Sequence, residues 1–305
     1  MSTVLVSGAS GVAGRLVTRL LEADGHTVRR ADVAPPPPDP DESAPTGEFV
    51  RCDTRSLADV QAAVTGCDAV VHLAAWHSGH QPPVGEATIF AVNVDGTFNL
   101  VQACGAAGVD AVVFASSMAY GWGGVYSVTK VIGEDLWRMY HETTGAAVAM
   151  LRYHDFVPKP YLAWGEKLLR NGVDGRDVAS ATRAALTAVL ERRVELFQTI
   201  VHTDHKMAAE VQGDFAAHGP EWCESQVPGS AELLRRYALD LPAEVEHHDL
   251  AEAKQMLGWT PAHNFVDFLT DLQRRDAAGV DVRSLWAPGQ LPQDAVAPAR
   301  AGAAR

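Results

Sequence analysis

Tyr126 and Lys130 stand four residues apart in the run Tyr-Ser-Val-Thr-Lys. On a helix that spacing puts both side chains on one face. An ammonium beside a phenol lowers the phenol's pKa, so the tyrosine can take a proton from an alcohol or return it to a carbonyl. Ser116 and Ser117 end an apolar run just upstream, and a hydroxyl there can hold the reacting oxygen beside Tyr126. A Tyr-x-x-x-Lys spacing alone is common, and a surface tyrosine and lysine would read the same way. Its place after Phe-Ala-Ser-Ser and a glycine-rich turn makes it a catalytic candidate.

A second group lies at the start of the chain, where Val-Leu-Val-Ser-Gly-Ala-Ser-Gly-Val-Ala-Gly sets Gly8, Gly11 and Gly14, with Ser10 and Val12 between them, at a strand-to-helix junction. The turn must be tight, the backbone must approach a pyrophosphate, and the helix must pack closely on the strand; each step favours a residue without Cβ. The free N–H groups of the helix N-terminus then face the phosphates. Asp32 follows at the end of the next strand, where a carboxylate accepts the ribose hydroxyls of NAD and repels the 2′-phosphate of NADP. A glycine triplet by itself also serves as a plain turn, but here strand, helix and acid all occupy the places the motif requires. Arg29 and Arg30 complicate the choice of NAD; neither directly follows Asp32.

The elements that must position these groups alternate. Strands are expected at 3–7, 26–32, 69–73, 111–115, 147–153 and 196–201, and helices at 14–23, 57–65, 94–107, 126–143 and 177–190. Such alternation predicts an α/β fold, a Rossmann-type doubly wound parallel sheet. The expected organisation is a NAD-binding domain over 1–157, completed by the helix 177–190, and a small substrate-binding subdomain from 158–176 and 195–285. The segment 35–47 reads as a solvated loop and 287–305 as a structureless Ala/Pro/Arg-rich tail.

The composition narrows the functional classes. A formal net charge of -13 disfavours nucleic acid and anionic membranes. No apolar run reaches the roughly 20 residues of a membrane span, and the N-terminus does not read as a signal peptide. The four cysteines, Cys52, Cys67, Cys104 and Cys223, suggest no disulfide framework. The expected setting is cytoplasmic, with a small-molecule substrate.

Together these residues resemble the extended short-chain dehydrogenase/reductases, the family of NAD-dependent sugar epimerases, dehydratases and uronate dehydrogenases. The resemblance runs to about Leu272. It is carried by the glycine loop, the Cys-Asp-Thr turn with Asp53, Val-Val-His-Leu-Ala-Ala with His72, Asn-Val-Asp-Gly-Thr-Phe-Asn-Leu with Asn93, Ser117, Tyr-Ser-Val-Thr-Lys, Arg-Asp-Val-Ala-Ser-Ala with Asp177, and Leu-Gly-Trp-Thr-Pro with Trp259. It implies Ser117, Tyr126 and Lys130 as catalytic residues, Ser117 being preferred to Ser116 by its distance from Phe114. It implies that Asp53 sits near the adenine, that Leu73, Ala74, Ala75 and Tyr153 line the cofactor, that Asn93 supports the site, and that Lys130 also holds the nicotinamide ribose. In the family, helices equivalent to 94–107 and 126–143 commonly form a dimer interface, which implies a homodimer.

Three departures bear on function. Only eight residues separate Ser117 from Tyr126, where relatives usually carry a longer substrate-facing loop. His154 and Asp155 replace the Phe and Asn typical of sugar-nucleotide epimerases. The segment 158–176 is very short, as in uronate dehydrogenases, which argues against a nucleotide sugar. The expected activity is therefore NAD-dependent oxidation or reduction of a small sugar-like or polyol substrate. The alternatives are an epimerase or dehydratase that recycles a tightly bound NAD, and a non-catalytic NAD-responsive binding protein. His77, His80, Ser116, His154 and Asp155 are candidate substrate contacts. No carboxylate or cysteine stands near His77 and His80 at zinc-like spacing, so no metal site is expected. His202, His205, His247 and His248 read as surface or strand-end residues, Lys167 and Arg170 as a solvated face, and Trp76, Trp122 and Trp164 as packing or recognition in loops.

Overall fold

The computed structural model describes residues 1–36, 46–77, 79, 83–120 and 122–295. Seven strands, β1 (Thr3–Ser7), β2 (Thr27–Asp32), β3 (Glu48–Arg51), β4 (Ala69–His72), β5 (Ala111–Ser117), β6 (Ala147–Tyr153) and β7 (Leu196–Val201), form one parallel sheet in the order β3-β2-β1-β4-β5-β6-β7. The direction of winding reverses between β1 and β4, and a crevice opens there at the carboxyl ends of the strands. The sheet is the predicted doubly wound one. β3 was not anticipated: its four residues are too few to display a period.

The strands are apolar on both faces because helices cover both. Val4, Val6, Val71, Val113 and Leu151 pack beneath α1 (Val12–Ala23) and α7 (Gly175–Leu190). The residues between them, Leu5, Val70, Val112, Phe114 and Met150, enter the opposite core with α2 (Leu57–Val64), α4 (Gly96–Ala107) and α5 (Gly124–Thr144). A short α3 (Glu86–Phe90) leads through a π-helical turn, Ala91–Asp95, into α4, so the helix expected over 94–107 has an irregular first turn. A third core lies beyond the sheet, built around α6 (Tyr161–Leu168), with the small α8 (Ala209–Gly213), α9 (Phe215–Gln226) and α10 (Ser230–Tyr237). After α11 (Ala251–Leu257), which packs on α7, comes α12 (Phe265–Ala277), opened by a capping box between Asn264 and Asp267.

Two motifs some 80 residues apart in sequence meet here. The Asp177 carboxylate accepts from the backbone N–H of Ala262 and His263, both at 2.9 Å, and the Trp259 indole donates to Ser180 Oγ at 2.9 Å. These bonds fasten the Leu-Gly-Trp-Thr-Pro turn to α7. Among the described residues no helix is long and apolar enough to cross a membrane.

The expectation of a structureless tail from 287 needs correction over 287–295. Ala287 is buried in the third core, and a 3-10 turn, Pro292–Ala295, brings Asp294 onto Arg15 of α1. The pair is bidentate, at 2.9 and 2.8 Å, with side chains only 4% and 5% exposed. Burying a guanidinium requires a partner, which composition alone does not reveal. Replacing Asp294 with alanine leaves Arg15 buried with only the Ser10 carbonyl. Urea unfolding of Asp294→Ala is expected to show a loss of about 3 kcal/mol, and an unchanged midpoint would show the pair to be dispensable.

Candidate active site

The crevice at the β1–β4 switch continues into a cleft of about 1230 Å³, bordered by the glycine loop, the ends of β2, β4, β5 and β6, and the start of α5. That is more than the roughly 300–1,000 Å³ of a drug-sized ligand pocket. Gly8 has φ +75°, and a Cβ on it would lie 2.6 Å from the Ala74 nitrogen. A Cβ on Gly14 would lie 2.1 Å from the Gly8 oxygen. At Gly11, by contrast, the nearest atom to such a Cβ is the Gly8 oxygen at 3.5 Å, which leaves the backbone accessible from the cleft. The first N–H groups of α1 therefore open onto a cradle that side chains would fill, and the loop fits a pyrophosphate.

Asp32 stands at the next wall. Its two oxygens accept from Ser10 N–H at 2.9 Å and Val33 N–H at 2.7 Å, and its carboxylate lines the cleft. Burial raises its carboxyl, against the pull of these bonds. Arg29 is turned to the carbonyls of Ala63 and Thr65, and Arg30 to that of Gly47; neither lines the cleft. Asp53 is at the rim, held by a bidentate Arg55 that keeps its carboxyl below the usual range. Leu73, Ala74, Ala75 and Tyr153 line the walls, the Tyr153 hydroxyl being bonded to Thr182.

Ser117, Tyr126 and Lys130 come together at the end of β5 despite the short connection. Ser117 and Tyr126 both line the cleft, and Ser117 Oγ accepts from the Ala119 backbone N–H at 3.1 Å. Lys130 is buried, donates to the Ala115 carbonyl at 2.8 Å, and places its nitrogen 5.8 Å from the centre of the Tyr126 ring. Burial holds the Tyr126 phenol above its ordinary value, with Ser117 working the other way. Burial also pushes Lys130 down to about 8, with Glu134 working the other way. The His77 ring stands edge-on to Tyr126, with centroids 6.2 Å apart. His80 and Gly121 lie outside the described residues.

Several assignments change. Residues 112, 114 and 116 share the face covered by α5, so the Ser116 hydroxyl meets Glu134 at 2.5 Å, and Glu134 is clamped by Arg152. Ser116 lines the cleft, but its hydroxyl is already committed to Glu134. Asn93 does not line the cleft: its amide bonds Trp76 N–H, the Trp76 carbonyl and Thr129, bracing the wall from behind. Asp155 does line it, but its carboxylate is held by Lys159 at 3.1 Å. Lys159, absent from the sequence-based candidates, is a cationic group in the cleft. Lys167 reaches Asn171 and Arg170 reaches Asp240. Trp164 belongs to the third core, whereas Trp76 and Trp122 line the cleft.

The histidines regroup most. His154 lines the cleft yet is 4% exposed, and packs against His202 and His248 with ring centroids 4.2 and 4.6 Å away. His202 and His205 are buried rather than superficial. The missed partners are distant in sequence, and no local spacing could have joined 154 to 246 and 248.

The fold and the cleft define a nucleotide-binding sheet with a tyrosine and a lysine poised at the edge where the cofactor's reactive end would lie. The chain belongs to the NAD dependent epimerase/dehydratase family, whose profile matches residues 4–159, and NAD is the cofactor of that class. It is 33% identical over 176 residues to a uronate dehydrogenase of Agrobacterium fabrum, covering 52% of this chain and 63% of that protein. It is 25% identical over 173 residues to one of Pseudomonas putida, covering 52% and 62%. The chain thus spans less than two thirds of the length of either relative. Among solved structures, an NAD-bound short-chain dehydrogenase/reductase superfamily protein from Agrobacterium tumefaciens superposes over 91% of this chain and 98% of that one, with a TM-score of 0.66 at 21% identity. A UDP-glucose-4-epimerase from Stenotrophomonas maltophila with bound NAD covers 92% and 99%, with a TM-score of 0.64 at 20% identity.

The depressed Lys130 carries a consequence for stability. Between about pH 8 and its ordinary 10.5, the unfolded chain binds this proton and the folded one has released it. Stability contributed by this group therefore rises with pH across that window. Urea unfolding at a series of pH values is expected to show a steeper rise in wild type than in Lys130→Met; parallel profiles would contradict it.

Proposed function

We propose that this protein is an NAD-dependent oxidoreductase that interconverts a hydroxyl and a carbonyl on a small sugar-like or polyol substrate. The observation that carries the reading is the convergence of Ser117, Tyr126 and buried Lys130 at the end of β5, in the same cleft as the glycine loop and Asp32. In this reading Gly8, Ser10, Gly11, Val12 and Gly14 would hold the pyrophosphate, Asp32 the adenosine ribose, and Asp53 the adenine edge. Leu73, Ala74, Ala75 and Tyr153 would line the nicotinamide half, with Lys130 on its ribose. When bound, NAD supplies the hydride acceptor or donor.

The chain's own residues handle orientation and the proton. Ser117 donates to or accepts from the substrate oxygen and fixes its distance from Tyr126. Tyr126 Oη takes the alcohol proton during oxidation and returns it during reduction. A phenol held high by burial is a poor base, so Lys130 is needed as a charge that favours the phenolate once substrate excludes water. The short 158–176 segment leaves little chain to enclose a nucleotide, which supports a small substrate. The similarity to uronate dehydrogenases makes hexuronates the first compounds to try. Phe98, Val128 and Met139 are exposed on α4 and α5, and an apolar face there supports a homodimer through these helices.

Two measurements test the reading. Energy transfer from tryptophan to nicotinamide is expected to show tighter binding of NADH than of NADPH, Trp76 lying in the cleft. With a turned-over uronate, Tyr126→Phe is expected to keep NADH binding and lose about 10²–10⁴-fold in kcat; wild-type turnover in that variant would sink the mechanism. Stereochemical inversion without net NADH would move the protein to the cofactor-recycling epimerases. Light scattering is expected to give twice the chain mass, and Phe98→Asp to shift it towards one.

A further inference from the structure

Beside the cleft, three ligand-bearing side chains from two distant parts of the chain converge. His154 follows β6, and Glu246 and His248 lie in the segment between α10 and α11; one ligand atom from each lies within 4.8 Å of the others. Glu246 Oε1 is 3.8 Å from His154 Nδ1 and 3.1 Å from His248 Nε2. Tetrahedral bonds of about 2.1 Å place ligand atoms roughly 3.4 Å apart, so these two separations bracket the requirement.

An independent observation points to a ligand. His154 is almost fully buried, and neither of its ring nitrogens has a hydrogen-bond partner. A buried polar atom left unpaired is costly, and here there are two on one ring. His202, at 0% exposure, repeats the pattern: Nε2–H donates to the Arg170 carbonyl at 3.1 Å, which leaves Nδ1 with a lone pair and no partner. A carbonyl bond on one nitrogen is the arrangement that orients the other towards a metal. We propose that His154, Glu246 and His248 form a binding site for a divalent transition metal of the zinc class, with His202 against its inner side and one coordination position left for water or another small ligand.

Two imidazoles and a carboxylate suit a borderline cation better than a hard one. The ion would tie the segment ahead of α11 to the ends of β6 and β7. It would do so beside the cleft wall, because His154 belongs to both. This site is independent of the hydride-transfer reading and stands or falls separately.

The test uses the full chain, free of any histidine tag, stripped with chelator and titrated with Zn²⁺ by calorimetry. One equivalent is expected to bind and to raise the melting temperature. Co²⁺ in its place is expected to give the visible bands of a four- or five-coordinate ion. Glu246→Gln and His248→Ala, both partly exposed and on a loop, are expected to weaken binding by more than about 10-fold while keeping the wild-type circular dichroism and NADH binding. Binding that is absent in wild type, or unchanged in both variants, would overturn the proposal and leave the cluster as neutral packed imidazoles.

Discussion

The site depends on how closely the amino end of α1 lies against the ends of β1 and β4. A single methyl at Gly14 would collide with the Gly8 carbonyl, and one at Gly8 with the Ala74 backbone. Those two approaches set the helix against the sheet, and everything in the cleft is measured from them. Asp32 reaches Ser10 because the loop folds back over the end of β2. Ala74 and Ala75 can be a bare wall because the loop sits directly opposite. Close packing of this kind cannot adjust by small amounts, so the spacing between phosphate cradle and reactive edge is fixed by backbone rather than by side-chain choice.

A second layer of order comes from polar groups that the core encloses. His72, pushed down to about 3, links Ser7 of β1 to Thr97 of α4 as a neutral ring. Asn93 ties the Trp76 loop to Thr129 of α5. Glu134 is shared between Ser116 and Arg152. Each network joins an end of a strand to a helix behind the cleft, and none of them needs to touch a ligand to position one. The π-helical turn at Ala91–Asp95 belongs with them, since it carries Asn93.

Most of the sheet was legible because each central strand is a short apolar run between helical patterns; β1, β6 and β7 fall where the sequence puts them. The glycine loop, Asp32, Ser117, Tyr126 and Lys130 were legible because their chemistry is local or set by strand ends. What sequence could not show depends on parity and on distance. Ser116 and Ser117 look alike until the fold commits the Ser116 hydroxyl to Glu134 of α5. The state of Tyr126 depends on burial, which spacing does not reveal. The histidine cluster and the Arg15–Asp294 pair each join segments that no local pattern links, whereas the Lys159–Asp155 contact spans only four residues and was open to a sequence reading.

The connection between Ser117 and Tyr126 is only eight residues long. Trp122 is 66% exposed, and Gly123 and Gly124 both adopt positive φ. On the proposed reading, so short a connection leaves the retention of substrate to its contacts within the cleft. A longer graft at this turn is then the direct way to slow product escape or to enlarge the range of compounds the site retains.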